Sequence, residues 1–191
     1  MHQVWDTDCR LNVTMEIAMK TAIMNIEKVI ITGTYVSISN EVVANVTIAD
    51  EQIAGGKYEN MVFENVVFKN CTIQASVFLE TNFIECKFID CNFSFTKFKS
   101  CILVECTFES CNFNITNSLK SNYQACTFLD TNWNNGAFRE NELVNCSLDL
   151  TTNHHIEITN DGEMNTTLSS SKSSNEAFTL PGAETQLQMV G

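Results

Sequence analysis

Every fifth residue through the middle of the chain is apolar, and this period constrains the fold more than any other feature. From Ile38 to Leu148, 22 of the 23 positions spaced five apart are apolar, and Ser118 is the exception. A composition that is 44% apolar would give roughly 10. Eleven of the 13 phenylalanines lie in this register. Because five matches neither the helical nor the strand period, each unit must be a short extended piece followed by a bend.

A second register of small side chains lies two residues before the first. All 17 charged residues between Gly56 and Leu148 avoid both registers, as expected if both point inward, since charges are seldom buried unpaired. We call the first register the large slot and the second the small slot. The small slot contains Cys71, Ser76, Thr81, Cys86, Cys91, Thr96, Cys101, Cys106, Cys111, Thr116, Ser121, Cys126, Thr131, Gly136 and Cys146.

Short units with two inward slots can bury them only by coiling and stacking, as solenoids do. The pattern resembles the pentapeptide-repeat family, which implies an all-β fold, a right-handed quadrilateral parallel β-helix with four units per turn. Residues 20 apart would then stack about 4.8 Å apart, and the rod would be roughly 28 Å long. Residues 38–150 are predicted to form this β-helix in nearly six coils.

The two flanking segments lack the period. Residues 1–37 are predicted to contain a capping helix at Thr14–Lys28, where apolar residues recur at helical spacing and Thr14 can act as the N-cap. Such a cap would cover an exposed sheet edge. Residues 151–191 are polar and include a serine-rich run, so we predict a flexible tail.

Charge and hydropathy limit the partners. The net charge of −12 has the wrong sign for a protein that neutralises phosphates, so no nucleic acid partner is expected. An acidic DNA mimic that binds a type II topoisomerase is the alternative, although Ile38–Leu148 carries only half of that charge. The longest run without a charged residue, Val29 to Asn40, is 12 residues, and a spanning helix needs about 20. No membrane-spanning segment is predicted in this chain.

The residues that could carry chemistry do not form a catalytic set. The three histidines lie outside the repeats, and serine and threonine fall mostly in the small slot or the tail, so we predict no enzyme activity and no cofactor. The eight cysteines of the small slot favour core packing over a metal site, because paired zinc ligands are usually closer in sequence. Disulfides between stacked cysteines remain an alternative that the sequence does not decide.

Asparagine is the more informative residue type. Seven Asn-x-Ser/Thr sequons occur, where chance gives about four. We predict N-glycosylation, which places the domain outside the cytosol; the alternative is that β-helix faces are simply rich in asparagine and threonine. The candidate sites in and beside the repeats are Asn45, Asn70, Asn92, Asn114 and Asn145.

One stretch is similar to a particular family. Asn45-Val-Thr-Ile48, Gln52-Ile53, Gly55-Gly56, Tyr58, Asn60 and Phe63 resemble the entry to the luminal domain of the synaptic vesicle glycoprotein 2 family. Phe68-Lys-Asn70-Cys-Thr72-Ile73, Val77-Phe78, Thr81-Asn82 and Lys87-Phe88 are similar to its following repeats.

The resemblance implies a function as well as a fold. In that family the domain is a glycosylated β-helix inserted in a transporter-like vesicle membrane protein, and it is a receptor for botulinum neurotoxin type A. It implies a location in the lumen of synaptic or secretory vesicles or outside the cell, with membrane association only through parts absent from this chain. The resemblance implies a protein partner such as a neurotoxin, which would pair with a strand edge and contact a glycan at Asn70, with Thr72 and Ile73 nearby.

Overall fold

Each five-residue unit forms a three-residue strand followed by a corner. The computed structural model describes residues 33–149, 155–159 and 165–169. From Tyr35 to Asn145 the corner is the residue whose number is divisible by five, and its φ lies between 50° and 65°. Asn, Asp and Gly, which adopt this left-handed conformation most readily, occupy 11 of the 23 corners. The left-handed corner turns the chain from one face of the coil to the next.

The strands follow one another without a helix in the described residues. The first two coils are β1 (Gly33–Thr34), β2 (Ser37–Ser39), β3 (Val42–Ala44), β4 (Thr47–Ala49), β5 (Gln52–Ala54), β6 (Lys57–Glu59), β7 (Val62–Glu64) and β8 (Val67–Lys69). The next two are β9 (Thr72–Gln74), β10 (Val77–Leu79), β11 (Asn82–Ile84), β12 (Lys87–Ile89), β13 (Asn92–Ser94), β14 (Lys97–Lys99), β15 (Ile102–Val104) and β16 (Thr107–Glu109). The remainder are β17 (Asn112–Asn114), β18 (Asn117–Leu119), β19 (Asn122–Gln124), β20 (Thr127–Leu129), β21 (Asn132–Arg139), β22 (Glu142–Asp149), β23 (His155–Thr159) and β24 (Asn165–Ser169).

Strands four apart in the chain pair in parallel, so the coils stack with a register of 20 residues. Phe68, Phe88, Phe108, Phe128 and Leu148 are successive partners, which confirms the predicted column. The result is the predicted four-sided β-helix of about six turns. Face 1 contains β1, β5, β9, β13, β17 and the first half of β21; face 2 contains β2, β6, β10, β14, β18 and its second half. Face 3 contains β3, β7, β11, β15, β19 and the first half of β22; face 4 contains β4, β8, β12, β16, β20 and its second half.

The sixth coil is continued by two more strands. β23 pairs with β21 and β24 with β22, each in parallel and each with a register shift. The predicted tail over residues 151–191 is therefore wrong for these two segments, which extend the sheets and satisfy backbone groups of the last coil. The predicted capping helix at Thr14–Lys28 and the remainder of the predicted tail lie outside the described residues.

The large slot builds the core. Its aromatic rings stack face to face along each column, with centroids 4.8 Å apart for Phe68 and Phe88 and 4.6 Å apart for Phe88 and Phe108. Rings in neighbouring columns meet edge-on, as Phe83 and Phe88 do at 62°. Both geometries are favourable for aromatic quadrupoles. Phenylalanine suits the large slot because the centroid spacing of two rings in an offset stack nearly equals the rise of one coil.

The small slot is explained by hydrogen bonding as well as size. The Cys86 thiol lies 3.3 Å from the carbonyl oxygen of Phe63, 23 residues earlier, and the Thr96 hydroxyl lies 2.9 Å from that of Ile73. Twelve cysteine, serine and threonine side chains of this slot donate to the carbonyl oxygen 23 residues earlier, whereas Ser121 donates to that of Leu119. The slot thus selects a small side chain that can donate a hydrogen bond to a buried carbonyl.

Ser118, the one polar residue in the large slot, belongs to a buried polar cluster. It is 5% exposed, and it accepts a hydrogen bond of 2.7 Å from the hydroxyl of Tyr123. The side-chain amide of Asn141 donates to the carbonyl oxygen of Ser118, and its oxygen accepts from the amide of Ser121 at 2.7 Å. The longer tyrosine and asparagine side chains fill the space that a phenylalanine would occupy.

Gly136 compensates for a tryptophan in the large slot. A Cβ atom on Gly136 would lie 2.7 Å from Cε3 of Trp133, so no other residue type fits without a shift. The ring of Trp133 stacks on Phe113 with centroids 3.9 Å apart. The larger ring thus uses the volume that the small-slot side chain holds in the other coils.

Candidate functional site

The cysteines of the small slot are core residues with free thiols. All eight described cysteines are buried and none is in a disulfide. No group of three or more His, Cys, Asp or Glu side chains within the described ranges could hold a metal ion. Burial raises the pKa of the Cys101 thiol to about 11 and also raises that of Cys106. A neutral, enclosed thiol is a poor nucleophile and a poor metal ligand.

Thiol labelling checks this assignment. We expect the eight buried cysteines of the folded protein to resist an alkylating reagent near neutral pH, and all eight to react in denaturant without reductant. Peptide mapping by mass spectrometry identifies each labelled residue. A stacked pair such as Cys106 and Cys126 that stays unlabelled in denaturant until reductant is added would contradict the assignment, because it would show a disulfide.

Stability should decrease at alkaline pH. The Cys101 thiol has an ordinary pKa of 9.0 and a folded-state pKa of about 11, so the folded protein retains this proton where the unfolded chain loses it. The stabilisation is complete below pH 9 and is lost toward pH 11, by about 1.4 kcal/mol per pH unit. Thermal melts across this range should show a falling Tm. The variant Cys101→Ser, which keeps a donor without titrating, should show a smaller fall; an equal fall in both proteins would contradict this account.

Among the described residues, the first coil forms the edge of the stack. In later coils the first amide of each strand donates to the preceding coil, as Val67 does to the carbonyl oxygen of Val46 at 2.9 Å. The last carbonyl of each strand accepts from it, as that of Lys69 does from the Asp50 amide at 2.9 Å. In β4 the equivalent groups are the amide of Thr47 and the carbonyl of Ala49. They face away from β8, and no described residue pairs with them.

The Asn70 corner lies one coil from this edge. The side-chain amide of Asn70 donates to Oδ1 of Asp50 at 2.7 Å, and Asp50 is the corner that directly follows β4. Asn70 is exposed. The predicted glycosylation site and the edge strand are therefore adjacent parts of one surface, which we call the edge surface: β4, Asp50 and Asn70.

The other two predicted partner residues differ in accessibility. Thr72 is half-buried at the start of β9, and Ile73 is fully buried in the large slot. β9 pairs with β5 on one side and with β13 on the other, so it offers no free edge. A partner at this position would contact the side chains of Asn70 and Thr72, whereas Ile73 supports the core beneath them.

The five candidate sequons are spread over one side of the rod. Asn45 and Asn145 are corners between faces 3 and 4, Asn70 is a corner between faces 4 and 1, and Asn92 and Asn114 are on face 1. Four are exposed, and Asn114 is half-buried, with its Oδ1 accepting from the Asn134 amide at 3.1 Å. Face 2 carries no sequon.

Charge is unevenly distributed around the rod. The outward positions of face 1 carry none. Face 2, with the corners at its two ends, carries five basic and three acidic residues, a net charge of +2. The rest of residues 33–149 carries two basic and 11 acidic residues, a net charge of −9. A DNA mimic would need an acidic surface that continues along the rod, and two of the four faces lack one.

Comparison with known proteins finds one matching family. The family model described as the SV2A/B/C luminal domain matches residues 7–98. This match covers the entry segment, the edge surface and the coils up to β14. Residues 7–98 are similar to the SV2 luminal domain. The β-helix continues beyond the match through β22 with the same register, so the SV2 pattern and the later repeats form one stack.

Solved structures and curated sequences give two further comparisons. Among solved structures, trypsin-treated QnrB1, a plasmid-mediated fluoroquinolone resistance protein, is 11% identical over 72% of this chain and 82% of its own, with a TM-score of 0.37. The pentapeptide repeat protein Rfr23 of the cyanobacterium Cyanothece 51142 is 9% identical over 62% of this chain and 88% of its own, with a TM-score of 0.27. No curated protein sequence matches. The fold assignment rests on the strand pairing and burial of the chain itself.

The prediction that this chain has no membrane-spanning segment can be compared with the structure. Within the described part of the chain, no helix is long and apolar enough to cross a membrane. The family that matches is one of luminal domains.

The edge surface is not recognisable in the sequence as a unit. Asn70 stands out as a sequon, but the contact between Asn70 and Asp50 depends on the 20-residue register and on both residues being corners. The sequence signal that could have revealed this contact is the spacing of 20 residues between polar corner residues. The same spacing joins Asn40 to Asn60 and Asn45 to Asn65 through side-chain hydrogen bonds of 2.9 Å.

Proposed function

We propose that this chain is a non-catalytic, N-glycosylated recognition module in the lumen of synaptic or secretory vesicles or outside the cell. Its β-helix binds a protein partner by adding that partner's strand to β4. It belongs to a transporter-like membrane protein of the SV2 type, with the membrane-spanning parts in other segments. The observation that carries the proposal is the edge surface, which lies within the region that matches the SV2 luminal domain.

Strand addition is supported by the backbone of β4. The amide of Thr47 and the carbonyl of Ala49 point away from the second coil, and such groups pair readily with an extended segment. Main-chain hydrogen bonds give affinity with little dependence on sequence. A second contact is needed for specificity, and a glycan on Asn70, about one strand spacing from β4, is positioned to provide it.

A botulinum neurotoxin of type A is the partner that the family relationship favours, and its receptor-binding domain is the probe for the test. Binding to the glycosylated chain is measured for Thr47→Pro, which removes the outward amide while leaving every hydrogen bond between β4 and β8 in place. This change also destroys the sequon of Asn45, so Asn45→Gln is its matched control. Asn70→Gln is compared with Asn145→Gln, a sequon at the far end of the rod.

We expect Thr47→Pro to weaken binding at least tenfold, about 1.4 kcal/mol, and Asn70→Gln to weaken it by a similar factor. The two control variants should bind like the parent protein. Equal binding by Thr47→Pro and Asn45→Gln would show that β4 is not the docking strand. No binding of the toxin domain to the parent protein would refute the toxin-receptor proposal.

A further inference from the structure

One of the four corners of the rod is apolar. The corner between faces 1 and 2, which we call the apolar corner, consists of Tyr35, Gly55, Ala75, Phe95, Ile115 and Asn135. Phe95 is 51% exposed and Ile115 is 39% exposed. The other three corners consist of Asn, Asp, Glu, Ser and Lys, with a single alanine at Ala125. Among the corner residues, large apolar side chains are thus confined to one of the four corners, and at Phe95 and Ile115 in the middle coils they face solvent.

The backbone conformation makes a large apolar residue at Phe95 and Ile115 more unusual. Phe95 has a φ of 55° and Ile115 a φ of 52°. A β-branched or bulky residue rarely adopts this conformation, whereas asparagine and glycine adopt it easily. This corner could turn with asparagine, as it does at Asn135. Because neither core packing nor the turn requires Phe95 and Ile115, their side chains indicate a surface function.

Basic residues lie directly beside the apolar corner. Lys97 and Lys99 are exposed on β14, which begins two residues after Phe95. Among the described residues, Lys57 pairs with Glu59 at 2.6 Å and Lys120 with Glu140 at 3.4 Å, while Lys97 and Lys99 have no ion pair. Lys99 stands between Leu79 and Leu119 in one outward row of face 2. The surface therefore alternates unpaired positive charge with apolar side chains.

We propose that Phe95, Ile115, Lys97, Lys99, Leu79 and Leu119 form a docking surface, the Phe95 patch, for an acidic protein segment that also carries apolar side chains. Face 2 with its corners has a net charge of +2, and the rest of residues 33–149 has −9, so an acidic segment is attracted here and repelled elsewhere. A two-fold contact between copies would bring Lys97 and Lys99 against their own counterparts. The patch lies on face 2 and its corner with face 1, whereas the edge surface lies on face 4 and its corner with face 1, so the two surfaces share no residue.

The test uses a short peptide in which glutamate alternates with leucine and phenylalanine. Its affinity for the protein is measured by fluorescence anisotropy, with a glutamine version and a version lacking the apolar residues as matched probes. The first variant is Lys97→Glu with Lys99→Glu, and its control is Lys69→Glu with Lys87→Glu, the same charge change on face 4. The second variant is Phe95→Asn, which keeps the corner conformation and is expected to fold at least as stably as the parent.

We expect the peptide to bind the parent protein at least tenfold more tightly than either probe. The variant with both Lys97 and Lys99 reversed and the variant Phe95→Asn should each lose at least fivefold in affinity, while the face 4 control loses less than twofold. Raising salt from about 0.15 M to about 0.5 M should weaken binding, since the lysines are exposed. Phe95→Asn should bind the edge-surface partner unchanged, which separates this proposal from the proposed function.

Three results would overturn the proposal. The first is equal loss of affinity in the face 2 and face 4 reversals, which would show only a general charge effect. The second is a dimer in sedimentation that Phe95→Asn dissociates, which would assign the patch to self-association. The third is binding to vesicles of phosphatidylcholine with phosphatidylserine but not to the peptide, which would assign it to a membrane.

Discussion

Phe108→Ala is expected to lower the free energy of unfolding by about 4 kcal/mol, which is the usual cost of deleting a buried aromatic ring. Phe108 is 2% exposed, and its ring stacks on Phe88 and on Phe128 with centroids 4.6 Å apart on both sides. A cavity at this position would remove contacts with both neighbouring coils, and a regular stack has little freedom to collapse into it. Urea unfolding followed by circular dichroism measures the change.

Phe95→Ala is the control for Phe108→Ala. It removes the same side chain from a position that is 51% exposed, so we expect a loss of less than about 1 kcal/mol. Similar losses in the two variants would contradict the division into inward slots and outward corners on which the fold depends.

Thr107→Pro is expected to unfold the domain or to lower its stability by at least about 3 kcal/mol. The amide of Thr107 donates to the carbonyl oxygen of Cys86 at 2.9 Å, and proline would leave that carbonyl without its donor. The natural sequence agrees, since its one proline, Pro181, lies outside the repeats.

Thr47→Pro makes the same change at the same slot of face 4, but in the first coil. Because the Thr47 amide faces away from the second coil, we expect a loss of less than about 1 kcal/mol. Thermal unfolding of the two variants provides the comparison. Equal destabilisation would show that the edge of β4 is already paired, and the edge surface would then be unavailable to a partner.

The period of five predicted most of the β-helix because both inward slots repeat with few exceptions, such as Ser118 in the large slot. Phe88 and Cys106 are buried where the slots place them, and the column from Phe68 to Leu148 stacks as expected. The same period ended too early. Ile158 and Leu168 pair with Phe138 and Leu148 at the 20-residue spacing. Asn153 and Glu163 stand at the other positions of the same register, so the apolar series is interrupted and does not reveal β23 and β24.

The side-chain contacts around the irregular slot positions could not be predicted from the sequence. The sequence shows Ser118 as a break in the large slot, but not that the Tyr123 hydroxyl and Asn141 fill the space around it. Gly136 fits the small slot by size alone, and its contact with Trp133 shows why that particular coil requires glycine. Phe95 and Ile115 belong to neither inward register, so periodicity gave no reason to single them out, and their role depends on the corner column that stacking creates.

The proposed recognition module depends on glycosylation outside the cytosol, and the mass of the natively expressed protein tests this proposal most directly. Intact mass is measured before and after enzymatic deglycosylation, and peptide mapping then locates the modified residues. We predict that the mass falls on deglycosylation and that Asn70 is among the modified residues, since it is exposed beside the edge strand. An unmodified protein of 21.4 kDa recovered from the cytosol would contradict the account.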